Sequence, residues 1–261
     1  MAAKRNGDRG APPKERRIQR AFADLLATYG PQGWWPIECE RANFSRSEGQ
    51  RTTEGYHPSE FDFPRTRAGR FEICCGAVLT QNTAWTNVRK ALQQLRAENA
   101  CSPQAVLELE PDRLGTIVRP AGYFNQKSKY LRAIAEWFAV NDAKLNRSPP
   151  SEATLDDARS RLLAVRGVGP ETADSILLYA YRLPTFVVDA YTRRVLGRIG
   201  VVDGDWTYEQ IRALCTQALR KPSVSATVEC FQEAHALIVE HAKRHHTRQS
   251  DPALDFLVRK T

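Results

Sequence analysis

The chain has 261 residues, a mass of 29.4 kDa, 42% hydrophobic content and a net charge of +8 with an isoelectric point near 9.3. That length leaves room for one large or two modest domains with real cores, and the positive balance favours a polyanionic partner. No apolar run reaches membrane-spanning length and no secretory apolar stretch opens the chain, so the expectation is a soluble protein with no membrane partner and a cytoplasmic, nucleoid-associated address.

Residues 1–15 read as a disordered basic tail. Residues 1–20 carry Lys4, Arg5, Arg9, Lys14, Arg16, Arg17 and Arg20 against Asp8 and Glu15, a balance of +5 that leaves only +3 for the rest of the chain. Ile18, Phe22, Leu25 and Leu26 then share one face of a helix. Gly30-Pro31-Gln32-Gly33 stops it, and Trp34-Trp35-Pro36 follows. Residues 40–67 are polar with scattered aromatics (Phe44, Tyr56, Phe61, Phe63) and predict a long surface loop. From Phe71 helices resume: one buried helix, a Thr80-Gln81-Asn82-Thr83 break, and an amphipathic helix from about Trp85. Ser102-Pro103 and Glu110-Pro111-Asp112 open two short helices. After the turn Gly122-Tyr123-Phe124, a helix over 125–140 turns Leu131, Ile134, Ala135 and Phe138 inward.

Thr154-Leu155-Asp156-Asp157 reads as a capping-box-like start for the next helix, with Asp in place of the commoner Glu or Gln. Two helical patterns then flank the hairpin Val165-Arg166-Gly167-Val168-Gly169-Pro170. Glycine permits close backbone approach and positive φ, and proline suits the first helical position. Free amides at the positive end of the second helix would form a seat for phosphate. Past Asp189, which stands among apolar residues, helices run to Ile199, from about Thr207 to Leu219, and from about Ser225 to Arg244. Strand alternation is almost absent, which predicts an all-α protein.

The hairpin, the Glu171-Thr172-Ala173-Asp174 after it and Val187-Val188-Asp189-Ala190-Tyr191 beyond resemble the helix-hairpin-helix (HhH-GPD) DNA glycosylases of the endonuclease III superfamily. Phe71–Thr83 resembles that family's helix ending in Leu-x-x-Gln, and Arg119–Ala135 its Gly-Tyr/Phe-x-x-Lys segment. The resemblance implies two helical domains flanking a DNA-binding cleft. A helical barrel over 71–185 ends in the hairpin, and residues 16–70 join 186–261 in the second domain. It also implies a monomer acting on double-stranded DNA that contains a damaged base. Many relatives hold an iron–sulfur cluster on four closely spaced C-terminal cysteines. Here Cys39, Cys74, Cys75, Cys101, Cys215 and Cys230 are scattered, so no cluster and no other cofactor is expected.

Cleaving an N-glycosidic bond builds positive charge on the sugar, which a nearby carboxylate stabilises while activating water. Asp189 matches the family's catalytic acid, and it also suits the cap of the helix starting at Ala190. Where strand-cutting relatives carry the lysine that forms a Schiff base, this chain has Glu171. A carboxylate makes no imine, so the resemblance implies a monofunctional enzyme. Trp34-Trp35-Pro36 resembles the cluster-free bacterial 3-methyladenine glycosylase branch, in which an aromatic at this segment stacks on an alkylated base. Cation–π attraction would favour such a cationic base. The expected base pocket is Trp34, Trp35, Pro36 and Glu171.

Gln81 matches the glutamine that fills the space left by a flipped nucleotide. Arg166, Gly167, Val168, Gly169, Lys127 and Lys129 are the other expected DNA contacts. His241 and His245 lie four apart near His246, but without a third ligand they read as a basic helix end and no metal site is expected. A monovalent cation on hairpin carbonyls stays open. Three readings stand: a monofunctional alkylpurine glycosylase, an endonuclease III-like enzyme for oxidised or mismatched bases that could carry lyase activity, and a non-catalytic helix-hairpin-helix DNA-binding protein.

Overall fold

The computed structural model describes residues 13–40, 55–246 and 255–259; most of the basic tail, and residues 41–54 of the polar 40–67 segment with Phe44, lie outside them. Among the described residues the chain is all-α. The helices are α1 (Lys14–Tyr29), α2 (Arg67–Leu79), α3 (Trp85–Ala97), α4 (Pro103–Glu108), α5 (Pro111–Val118), α6 (Phe124–Arg147), α7 (Glu152–Leu163), α8 (Pro170–Tyr181), α9 (Ala190–Arg198), α10 (Tyr208–Leu219), α11 (Val224–His245) and α12 (Phe256–Arg259), with a 3₁₀ turn at Arg119–Ala121.

Two lobes follow from which helices pack together. In one, α2 lies against α6 and α8, α6 gathers α4, α5 and α7, and α7 packs on α8. In the other, α1 packs on α10 and α11, and α9 lies on α11. Helices α8 and α11 meet between them. The first helix therefore completes the C-terminal lobe. Its amphipathic face buries Ile18 and Leu25, and its polar side chains reach across the chain. The Arg17 guanidinium donates to the carbonyls of Ile199 and Gly200, and Gln19 donates to Ala218 O at 2.8 Å. Those bonds occupy carbonyls left open at the ends of α9 and α10.

Buried charge pairs fix the helix angles around the cleft. Asp142 of α6 accepts Arg70 Nε at 2.7 Å and Nη2 at 3.2 Å, and the Tyr181 hydroxyl at 3.2 Å, so α2, α6 and α8 share one carboxylate. Asp174 of α8 is fully buried and accepts two guanidinium bonds from Arg159 of α7 (2.9 and 3.1 Å), plus the hydroxyls of Thr185 and Tyr208, each at 2.8 Å. All four acceptor positions of a carboxylate are in use there, which is what makes a buried charge tolerable.

The start of α7 corrects the sequence reading. Ser151, not Thr154, caps it: Ser151 Oγ accepts from Thr154 N at 3.1 Å, and α7 begins at Glu152. Helix α6 also runs seven residues past the expected end at 140, because the face continues to bury Asp142 against Arg70.

Candidate active site

The hairpin joins α7 to α8. Gly167 has φ +86°, and a Cβ there would lie 2.2 Å from the Tyr130 ring of α6, so only glycine lets the hairpin seat on that aromatic. Gly169 meets nothing within 4 Å. It holds the N-cap position of α8 without a side-chain cap, and Pro170 begins the helix. The first amides of α8 therefore face outward unoccupied, at the positive end of a twelve-residue helix. Val168 is buried beneath the turn, while Arg166 and Lys129 are exposed beside it. Gln81 Nε2 donates to Gly167 O at 2.8 Å and to Thr172 Oγ1 at 3.0 Å, which holds the Thr80–Thr83 turn against the hairpin. Val165 O accepts Val168 N at 3.1 Å. Each of these two hairpin carbonyls keeps a second lone pair with which a monovalent cation could be held.

Lys127 is not a phosphate contact. It is 2% exposed, and its ammonium donates to Leu79 O and Ala121 O, both at 2.8 Å. The lysine of the Gly122-Tyr123-Phe124-Asn125-Gln126-Lys127 segment instead caps the end of α2 and ties it to the 3₁₀ turn. Burial lowers its pKa to about 8. The tie sets Gln81 and the 68% exposed Tyr123 on adjacent turns.

Asp189 caps α9, its Oδ1 accepting Thr192 N at 2.7 Å. Its Oδ2 faces His235 Nε2 of α11 at 3.6 Å, and the side chain keeps 13% of its surface open. Burial pushes its pKa up, but His235 and the Thr192 amide outweigh that and hold the carboxyl below its ordinary value. Glu171, exposed in the first turn of α8, has its pKa raised by partial desolvation and then by the charge of Asp189. The two acids thus share one field in which Asp189 ionises first.

Trp34 and Trp35 take different positions. Trp35 is buried and meets Trp85 and Tyr179 edge-on or tilted, each at 5.3 Å, with its indole over Gly76 of α2. Pro36 is buried with it. Both are corrected from pocket to core: the space in which a base could stack on Trp35 is filled by α2, α3 and α8. Trp34 is half-buried and meets Tyr56 at 6.3 Å and His235 at 6.0 Å, edge to face. Lys243 Nζ lies 5.3 Å from the Trp34 ring centre. Burial lowers the pKa of Lys243, against the opposing charges of Glu240 and Asp189. The Trp34 segment is anchored from below by Glu233, which accepts Gln32 N at 2.6 Å.

His235, Lys243 and Tyr56 belong to this cleft and were missed from sequence. His235 and Lys243 are eight residues apart on α11, so a helical face was the available signal, but no motif marked which face turned toward Asp189.

Two candidate cofactor sites can be tested against the side chains. Burial pushes the thiols of Cys39, Cys74, Cys75, Cys101, Cys215 and Cys230 up, away from the thiolate a metal requires, and among the described residues no three sulfurs converge. They do not fit an iron–sulfur cluster. The residues that could hold a metal ion are His241, His246 and Asp255, whose ligand atoms lie within 4.8 Å of one another. Asp255 meets His241 Nε2 at 3.1 Å and His246 Nε2 at 2.9 Å, and Tyr29 Oη meets His241 Nδ1 at 3.0 Å. These bonds satisfy the carboxylate without an ion. The expected basic helix end is therefore corrected to a buried clamp that brings residue 255 back onto α1 and α11.

An all-α, two-lobed chain with an uncapped hairpin helix beside an acid-bearing cleft has the build of a helix-hairpin-helix DNA glycosylase. The chain belongs to the HhH-GPD superfamily of base excision DNA repair proteins, whose family model matches residues 75–221. It is 34% identical over 227 residues to a putative DNA repair glycosylase of Methanocaldococcus jannaschii, covering 87% of each chain. It is 31% identical over 149 residues to the endonuclease III of Sulfolobus acidocaldarius, covering 54% of this chain and 61% of that one. Among solved structures, a non-covalent endonuclease III–DNA complex superposes with a TM-score of 0.67 at 15% identity, covering 94% of both chains. The H. pylori 3-methyladenine DNA glycosylase bound to 1,N6-ethenoadenine superposes with a TM-score of 0.59 at 23% identity, covering 89% of this chain and 98% of that one. At these identities the structures establish the shared fold.

Proposed function

We propose that the protein is a monofunctional DNA glycosylase that removes alkylated purines, such as 3-methyladenine, from double-stranded DNA, acting as a monomer. The observation that carries this reading is the Asp189 carboxylate facing His235, whose ring also meets Trp34, in a cleft where Glu171 occupies the lyase-lysine position. The open amides of α8, with Arg166 and Lys129, hold a backbone phosphate. A nucleotide turned out of the duplex presents its base to Trp34 and its sugar to Asp189. As the bond from C1′ to the base lengthens, the Asp189 carboxylate stabilises the cationic sugar. Water then adds to C1′ and gives its proton to Asp189, while the bonding electrons leave with the base. A cationic base leaves as a neutral molecule, so no acid is needed at the leaving group.

Support for a cationic base comes from Lys243. Its ammonium already rests over Trp34, so that indole face attracts positive charge, and an alkylated purine would take its place. The same amine favours a second reading. A neutral Lys243 reaching C1′ would give lyase activity on an oxidised or mismatched base.

The test is base release from duplexes carrying 3-methyladenine, oxidised bases or mismatches, each with and without alkali and with borohydride. Release of 3-methyladenine with alkali-dependent breaks supports the proposal. A borohydride-trapped adduct that disappears in Lys243→Ala establishes the second reading. Tight binding to abasic-site DNA without any release would leave a non-catalytic DNA-binding protein.

A further inference from the structure

His235 is 4% exposed and lies at the meeting of α8, α9 and α11. Its Nδ1 is 2.7 Å from the Tyr179 hydroxyl, whose other acceptor, Gln232 O, is farther at 3.3 Å. A carboxylate oxygen faces Nε2, which favours the ring proton on Nε2 and leaves Nδ1 to accept from Tyr179. That buried Nε2 has no hydrogen-bond partner, and it points at Asp189 Oδ2 across 3.6 Å. A buried N–H without an acceptor is destabilising, which favours drawing Oδ2 closer. The other oxygen of Asp189 is already bound to the Thr192 amide at 2.7 Å, so Oδ2 is the oxygen left for chemistry.

We propose that His235 is a positioning residue for base excision: oriented by Tyr179, it presents Nε2–H to Asp189 Oδ2 and holds that carboxylate in its reactive rotamer. This inference rests on the reading of Asp189 as the excising acid. The imidazole suits the task because its rigid ring, fixed at Nδ1 by Tyr179, aims Nε2 at a single carboxylate oxygen. The second acid in the cleft, Glu171, and the cations Arg193 and Lys243 act on the same pair from α8, α9 and α11, and Glu233 faces Tyr179 from below.

The experiment measures single-turnover excision against pH for full-length wild type, His235→Ala, His235→Gln and Tyr179→Phe, on a substrate the wild type excises, with abasic-DNA affinity measured in parallel. His235→Ala is expected to slow excision by about tenfold, in the range for lost orienting partners. Its acid limb should move to higher pH, because His235 is part of what keeps Asp189 ionised, while DNA affinity stays within about twofold. His235→Gln, which keeps an N–H donor, should recover most of the rate. Tyr179→Phe, which frees the imidazole to change tautomer, should fall between. A His235→Ala pH profile superposable on wild type overturns the proposal, as does equal loss in the Ala and Gln variants. Side-chain ¹⁵N shifts of the wild type test the pair without any activity. An Nε2–H tautomer that responds to Asp189→Asn supports it, and an Nδ1–H tautomer overturns it. If the ¹⁵N result holds while no substrate is excised, the functional reading fails and the Asp189–His235 pair stands.

Discussion

In the proposed function, the hairpin and the Trp34–Asp189 cleft are two answers to the problem of gripping DNA. The hairpin spans a few consecutive residues, Val165 to Pro170, and works with backbone amides and a positive φ. The cleft draws Trp34, Tyr56, Glu171, Asp189, His235 and Lys243 from across the chain, and works with side chains. A phosphate is the same at every nucleotide, so local backbone chemistry is enough to bind it. A damaged base differs from normal ones in its ring, so recognising it requires a shaped, partly desolvated enclosure that no short segment can build.

Mutations can separate these two regions. The largest effect is expected at Asp174, which ties both together. Asp174→Ala leaves Arg159 only its ion pair with Glu209 and removes the acceptor of the Thr185 and Tyr208 hydroxyls, and should cost about 3–5 kcal/mol in denaturant unfolding. Unchanged stability would mean the carboxylate is dispensable to the junction of α7, α8 and α10. Asp189→Asn should lower single-turnover excision by about 10²–10³-fold while leaving damaged-DNA affinity near wild type. Turnover close to wild type would remove Asp189 from the mechanism. Gly167→Ala works in the opposite sense. Its Cβ would strike the Tyr130 ring at a left-handed φ, at a cost of about 1–3 kcal/mol, and the displaced turn should weaken binding to any duplex, damaged or not.

Smaller effects probe the foundations of each region. Burial pushes Glu233 up to about 7 in the fold. Because the folded pKa lies above the unfolded one, folding favours the protonated acid. Its contribution is present at pH 4 and is lost as pH rises through 7. Glu233→Gln keeps an acceptor for Gln32 N and removes that loss. Its unfolding free energy should match wild type at pH 4 and exceed it at pH 8, by a difference on the order of 1–3 kcal/mol. Last, Arg166→Ala and Lys129→Ala should each reduce the salt dependence of DNA binding by about one unit of slope, without altering which base is excised. Lys127→Ala should instead lower stability, because Lys127 holds protein carbonyls.

How much could be read in advance differs between the regions for a physical reason. The hairpin was legible because glycine permits its positive φ and proline fits the first helical position, both local effects. Asp189 was legible locally as a helix cap, and as the acid only through its resemblance to the family's motif. Lys127 was misread, since a lysine in the right pattern looks alike whether it faces phosphate or two carbonyls. Trp34 and Trp35 are chemically identical neighbours, and only α2, α3 and α8 closing on the second made one core and left the other facing the cleft.

By itself the sequence determined the all-α class, the hairpin with its anion-ready helix end, and the acid that follows it, because each depends on residues within a turn or two of one another. Tertiary structure decided the rest. It chose which indole is exposed, set His235 behind Asp189, put Lys243 over Trp34, and joined His241 and His246 to Asp255. These are encounters between side chains up to two hundred residues apart, and they exist only once buried carboxylates such as Asp142 and Asp174 have fixed the angles at which the helices cross.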